Sequence, residues 1–328
     1  MLGARQAGAV AAARVTDEIR REIAWLEARP DFFLLTLGAP AYPPHLAAIP
    51  DPPPVLVGRG DPGALRVPAV AVVGSRQATP AGCEMSRQLG HDLAGAGVCV
   101  VSGLALGVDI AAHEGALAAQ GRSVGVMGNG ADRVYPTQHR PQARAMLARG
   151  AVISELPLGT QPRPAHFPRR NRIIAGLTLA TVVVEAAERS GALITARLAG
   201  EFGRDVLAVP GAVGNPLARG CHALLKDGAG LVEDYRDVLV ALGIAIDAPP
   251  EPGRGAPART DPGADDVDPE VGALLSACEG APASFDQIVE RCGLTAPRVS
   301  SMLLLLELDG AVAALPGGLY QRRSPKRS

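Results

Sequence analysis

Residues 70–76 read Val70–Ala71–Val72–Val73–Gly74–Ser75–Arg76, and Pro80–Ala81–Gly82 open the next segment three residues on. A short β-branched run closed by a glycine loop and followed by a helix-length segment is one strand–turn–helix unit of an α/β fold. The pattern recurs downstream. Val98–Val101, Val124–Met127, Ala151–Ser154, Thr181–Val184 and Val206–Val209 are similar runs, each followed by a loop and a longer segment. Continuous apolar strands alternating with helices predict a mainly parallel sheet buried on both faces, a doubly wound Rossmann-like α/β domain over residues 69–242.

Around this centre the composition divides the chain. Residues 1–68 predict a short N-terminal segment, with a helix near 15–29 (Val15, Ile19, Ile23 and Leu26 on one face) and a proline-rich extended lead-in over 40–68. Residues 243–266 are rich in proline, glycine and aspartate and poor in apolar side chains, which predicts a flexible linker. From 267 to 322 helical spacing returns in three short segments. Ser284–Phe285–Asp286–Gln287 forms a capping box, and a hairpin pattern over Val312–Tyr320 completes a small winged-helix-like domain, with 323–328 as a basic tail.

Apolar residues make up 47% of the 328 and charged residues 20%, enough for a packed core and too little charge for a disordered chain. The net charge of -1 means that any polyanion footprint has to be local. Five cysteines without a C-x-x-C pair argue against a disulfide framework or zinc site and for a reducing, cytoplasmic setting. The longest uncharged runs are broken by glycine, so no membrane association is expected.

The chemistry-bearing residues cluster after the strands. Gly74, Ser75 and Arg76 suit a phosphate: glycine lets the backbone approach, the next helix offers N–H groups, and the guanidinium is a fixed positive fork. Ser102 and Gly103 begin a second glycine loop at the adjoining strand end, the edge at which open α/β sheets bind ligands. Asp109 and His113, four apart on the following helix, read as a helix-stabilising pair before they read as half a metal site. Between residues 133 and 172 there are eight arginines, among them Arg163, Arg169, Arg170 and Arg172, against the single acid Glu155. That excess predicts a polyanion footprint. Phe167 beside it offers a base-stacking surface, with Asn171 in the same run. One of Arg170 and Arg172 is equally well read as pairing with Glu155 or Glu185. Ser190 and Gly191 open another helix at the same edge, as an N-cap and as amide donors to a phosphate.

The P-loop pattern is absent, since the only lysines are Lys226 and Lys326, and neither a nucleophile elbow nor a zinc-protease pattern occurs. No catalytic residue, metal or cofactor is therefore expected. These motifs together resemble the DNA-processing protein A family, DprA or Smf. The resemblance is carried by Val72–Arg76 with Thr79 and Gly82, Val100–Asp109 with Ala112–His113, Tyr135–Pro136 and Ser154–Pro157. It continues through Phe167–Gly176, Val184–Ala186, Ser190–Ala196, Ala208–Gly211 and Gly220–Cys221.

The resemblance implies a non-catalytic Rossmann-like domain that binds single-stranded DNA, self-associates as a homodimer and helps load the RecA recombinase onto DNA in recombination or natural transformation. It implies that Gly74, Ser75, Arg76, Ser102, Gly103, Phe167, Arg170, Asn171 and Arg172 line the DNA pocket. Where many members carry a lysine three residues before the phenylalanine, this chain has Pro164, with Arg163 beside it. The competing reading is a nucleotide-processing enzyme such as a nucleoside-monophosphate phosphoribohydrolase. Its P-G-G-x-G-T-x-x-E motif is not met by Pro316–Gly317–Gly318.

Overall fold

The computed structural model describes residues 16–244, 269–278, 282–308, 311–315 and 318–322. The chain divides into two compact units, residues 1–248 and 249–328. The expected linker falls almost wholly, and the basic tail wholly, outside the described residues.

The first unit is built on a nine-stranded sheet. Its parallel part consists of β3 (Ala69–Gly74), β4 (Cys99–Ser102), β5 (Ser123–Val126), β6 (Ala151–Ser154), β7 (Ala180–Glu185), β8 (Asp205–Ala208) and β9 (Gly230–Leu231). The spatial order is β6-β5-β4-β3-β7-β8-β9, with every neighbouring pair parallel. The chain enters at β3, steps outward to β6, and crosses back to β7 on the other side of β3. That reversal makes the β3/β7 boundary the topological switch point.

β3 shows why these runs make this sheet. Val70 and Val72 are fully buried with Leu89 and Leu93 of the helix α3 (Pro80–Gly95) and Ala112 of α4 (Val108–Ala118). Ala71 and Val73 point the other way and pack with Ile173 and Ile174 of α6 (His166–Leu177) and Ala196 of α7 (Gly191–Glu201). A strand apolar on both faces needs a helical layer on each side, and the helices between the strands supply both. Toward the far edge α8 (Arg219–Lys226) adds Cys221 to the core that holds Ala71, and α9 (Tyr235–Ala241) adds Val238 and Leu239 to the one that holds Val70.

One boundary of the sequence reading is corrected. β1 (Phe32–Thr36) and β2 (Val55–Gly60) extend the sheet beyond β6 as antiparallel strands. The lead-in is therefore partly sheet: Leu56 of β2 and Leu46 of the short helix α2 (Pro44–Ala47) are fully buried in the same core as β3. Pro53 and Pro54 sit immediately before β2, where a missing N–H does not weaken the ladder. An amphipathic helix, α1 (Asp17–Glu27), is present as expected.

The second unit has helices α10 (Pro269–Ala277), α11 (Phe285–Cys292) and α12 (Ala296–Leu308) and a three-stranded sheet. The capping box at Ser284 and Gln287 is formed, and Gly293 ends α11 in the left-handed region. The hairpin Val312–Leu315 with Leu319–Arg322 completes a winged-helix domain around Leu274, Ile288, Val299 and Leu303.

Candidate functional site

The carboxyl ends of β3, β4, β5 and β7 meet at one edge, and the loop after β3 holds the pivotal contacts. A Cβ on Gly74 would lie 2.6 Å from Val108 Cγ2 and 2.9 Å from the Glu185 carbonyl, so only glycine lets the turn nest against α4. The Ser75 hydroxyl accepts the Gln77 N–H at 3.1 Å, and the Ser75 carbonyl accepts the Val108 N–H at 3.2 Å. The turn is thereby fixed, and Arg76 is carried out into solvent. Its guanidinium carbon lies 5.3 Å from the centre of the Phe167 ring. Tyr135, 45% exposed, stands 5.9 Å from the same ring. Tyr135 follows the loop after β5. In the sequence it belongs to the resemblance motifs and not to the expected site, because nothing in its own neighbourhood shows that it meets Phe167.

At the switch point the expected helix-terminal phosphate seat is taken. The Glu185 carboxylate accepts the Thr79 N–H and hydroxyl, both at 2.8 Å, and the Thr79 hydroxyl accepts the Gly82 N–H at 3.0 Å. A carboxylate built into the chain thus neutralises the N-terminus of α3, where a nucleotide phosphate would otherwise sit. The Thr79, Gly82 and Cys83 amides, expected to be free there, are corrected to donors already engaged.

The second loop is held from below. Ser102 is fully buried, and its hydroxyl donates to the Val72 carbonyl at 2.6 Å. Asp109 accepts the Gly103 N–H at 3.0 Å and the Ala105 N–H at 3.4 Å. Burial raises the carboxyl above its usual range, against the lowering effect of Arg170 and those amides. Arg170 is 5% exposed. It donates to the Gly103 carbonyl at 2.9 Å and to the Val126 carbonyl. Burial brings its pKa down to about 10, opposed by Asp109. Gly103 leaves room for this guanidinium: a Cβ there would lie 2.4 Å from it, and the arginine would have to shift. Leu104, fully buried at φ 56°, hands its carbonyl to His139 Nδ1 at 2.8 Å.

The expected direct contacts are corrected accordingly. Ser102, Gly103 and Arg170 form the floor that positions the loops, since all three are buried and the Ser102 hydroxyl, the Gly103 N–H and carbonyl and one Arg170 nitrogen are engaged within the protein. Asn171 donates to the Gly191 carbonyl at 3.3 Å and positions α7. Arg172 is bound to Glu155 at 2.6 Å and Asp51 at 3.0 Å, so for this arginine the pairing with Glu155 is the reading that holds. Arg169 is exposed and leans on Glu155 at 3.4 Å, and Arg163 is exposed. Ser190 caps α7 by accepting the Ala192 N–H at 3.3 Å, with Gly191 exposed beside it. The Asp109–His113 pairing is also corrected. His113 is buried on Ser123 at 2.8 Å, and burial holds its pKa down at about 3. Among the described residues no group of side chains could hold a metal ion.

With this arrangement in view, the family model for DNA recombination-mediator protein A matches residues 33–243, and that for the DprA winged-helix domain matches residues 256–318. The chain belongs to the DprA/Smf family. It is 41% identical over 308 residues to Protein Smf of Escherichia coli, covering 93% of this chain and 81% of that one. It is 43% identical over 198 residues to DNA processing protein DprA of Streptococcus pneumoniae, 60% of this chain and 70% of that one. The solved structure of the latter superposes with a TM-score of 0.64 over 69% of this chain and 78% of that one, at 39% identity. A DNA processing protein A from Helicobacter pylori, whose structure gives insight into a unique single-stranded DNA binding mode, matches with a TM-score of 0.58 at 28% identity. That match covers 64% of this chain and 95% of that one. Membership in this family places the chain in DNA processing.

Proposed function

We propose that the surface formed by Arg76, Phe167 and Tyr135 binds single-stranded DNA, with Arg163, Arg169, Ser190 and Gly191 beside it and without chemical conversion of the strand. The observation that carries this reading is an exposed guanidinium over a half-exposed aromatic ring with a second ring next to it. Stacking needs unpaired bases, and the guanidinium supplies a sequence-independent phosphate contact. The single-stranded DNA binding mode of the Helicobacter pylori relative supports the reading. Loading of the RecA recombinase, a role in natural transformation and homodimer formation are further proposals that rest on the family resemblance. The cytoplasm is the compartment such a role requires, and no helix among the described residues is long and apolar enough to cross a membrane.

The nucleotide-processing alternative is weakened by Glu185. Its carboxylate sits on the helix terminus that would bind the phosphate of a mononucleotide. Arg76→Ala should lower affinity for single strands of all sequences about tenfold and reduce the slope of log affinity against log salt by about 0.7, one phosphate for a single strand. Phe167→Ala should cost about 1–3 kcal/mol of binding. Fluorescence anisotropy with single- and double-stranded oligonucleotides checks both. Tighter binding to duplex, or unchanged affinity with a folded Arg76→Ala protein, would overturn the assignment.

A further inference from the structure

Next to Tyr135 the surface opens into a cavity of about 1120 Å³, larger than a side-chain gap and large enough for nucleotide-sized groups. Its apolar lining includes Ala143, Leu147 and Val152, and Tyr135 forms part of its wall. Four arginines line it, Arg59, Arg133, Arg140 and Arg144, against the two acids Asp31 and Asp132. Arg59 is held by Asp31 at 2.9 Å and Arg133 by Asp132 at 3.5 Å. Arg140 and Arg144 are exposed and have no acidic partner among the described residues. They lie four apart on α5 (Arg140–Met146), and so on one face of it. Asn129, fully buried at the inner wall, donates to the carbonyls of Gly130 at 3.1 Å and Arg133 at 2.8 Å and so holds the backbone that carries Arg133. Unpaired cations and an apolar floor together suit a ligand with an anionic backbone and a flat apolar body. A nucleotide has both.

We propose that this cavity is a second nucleotide subsite, which takes the stretch of the same single strand that leaves Phe167 past Tyr135. The proposal rests on the single-strand reading above. Tyr135 is the link: its ring lies 5.9 Å from that of Phe167, and the residue also lines the cavity. Arg163 follows Gln161 and Pro162 of the cavity lining, so exposed positive charge continues around the same rim. Arg140 and Arg144 then meet two successive phosphates, and the apolar floor takes the sugar or base between them.

The test uses the full chain and two oligothymidylates, one of about 5 nucleotides and one of about 15, within the range that single-strand sites span. The variant Arg140→Ala/Arg144→Ala should bind the short strand like the parent. It should bind the long strand about tenfold more weakly, with a salt slope lower by about 1.4, twice the value for one phosphate. The variant Arg140→Lys/Arg144→Lys should keep most of the long-strand affinity. In the parent protein, a photoreactive uracil near one end of the long strand should cross-link to the segment 133–144, whatever the folding of the variants. Unchanged long-strand affinity and slope, an equal loss on both lengths, or cross-links confined to Phe167 and its neighbours would each overturn the subsite. A parent protein that binds neither strand would overturn the single-strand reading itself.

Discussion

Individual arginines in this chain have different roles, and position in sequence does not distinguish them. Arg76 and Arg170 both lie within about 6 Å of the Phe167 ring centre, yet one is in solvent and the other is buried among carbonyls. A buried guanidinium bonded to two carbonyls and facing the Asp109 charge is part of the framework, and removing it leaves that carboxylate without a cation. Arg170→Ala is therefore expected to lower stability by about 3 kcal/mol, measured by urea unfolding, because a buried charge is left uncompensated. Arg76→Ala should leave the unfolding midpoint within experimental error. A stable Arg170→Ala protein with only weakened DNA binding would move Arg170 from the floor to the contact surface.

At the level of elements, the decisive interaction joins the end of β7 to the start of α3. Glu185 binds Thr79 twice and lies 3.4 Å from Asn215 Nδ2, so it ties the two halves of the sheet at the switch point. It also places negative charge at the positive end of a 16-residue helix. Glu185→Ala should cost about 2 kcal/mol, the sum expected for a lost helix cap and a charge-assisted hydrogen bond. The loss should appear in thermal unfolding, and hydrogen exchange should rise first in the opening turn of α3. Equal exchange there in variant and parent would show that Thr79 alone caps the helix.

For the whole molecule, the question is whether the winged-helix unit adds a second DNA surface. A helix that reads a major groove needs several basic or amide side chains. α12 has one basic residue, Arg298, and that is paired with Glu270 at 2.8 Å within the same unit. Its apolar residues Val299, Met302, Leu303 and Leu306 are in the core. Removing residues 247–328 is thus expected to leave single-strand affinity within a few-fold, equivalent to less than about 1.4 kcal/mol. The comparison should be made by anisotropy at fixed salt with both proteins in the same oligomeric state. A tenfold or greater loss would make the winged helix a DNA-binding unit in its own right.

The sequence alone determined the layers of this protein. Six apolar runs with glycine loops specify buried parallel strands, because backbone pairing and two-sided burial leave a repeating local mark. The same local logic specifies the capping box at Ser284 and the exposed Arg76 turn. The sequence did not determine which charges are already engaged. The window 133–172 contains eight arginines and one acid, but Asp51, from well before it, binds Arg172, and Asp132, one residue outside it, binds Arg133. Gln120 and Val126 carbonyls take up Arg149 and Arg170. β1 and β2 escape the strand pattern because prolines and a polar turn surround them, and only their pairing beside β6 makes them sheet. Tyr135 joins the site only when the loop after β5 is laid against α6. Strand and helix formation are decided over a few residues, whereas neutralisation of a charge depends on partners brought together across the chain, and those are fixed by the tertiary structure.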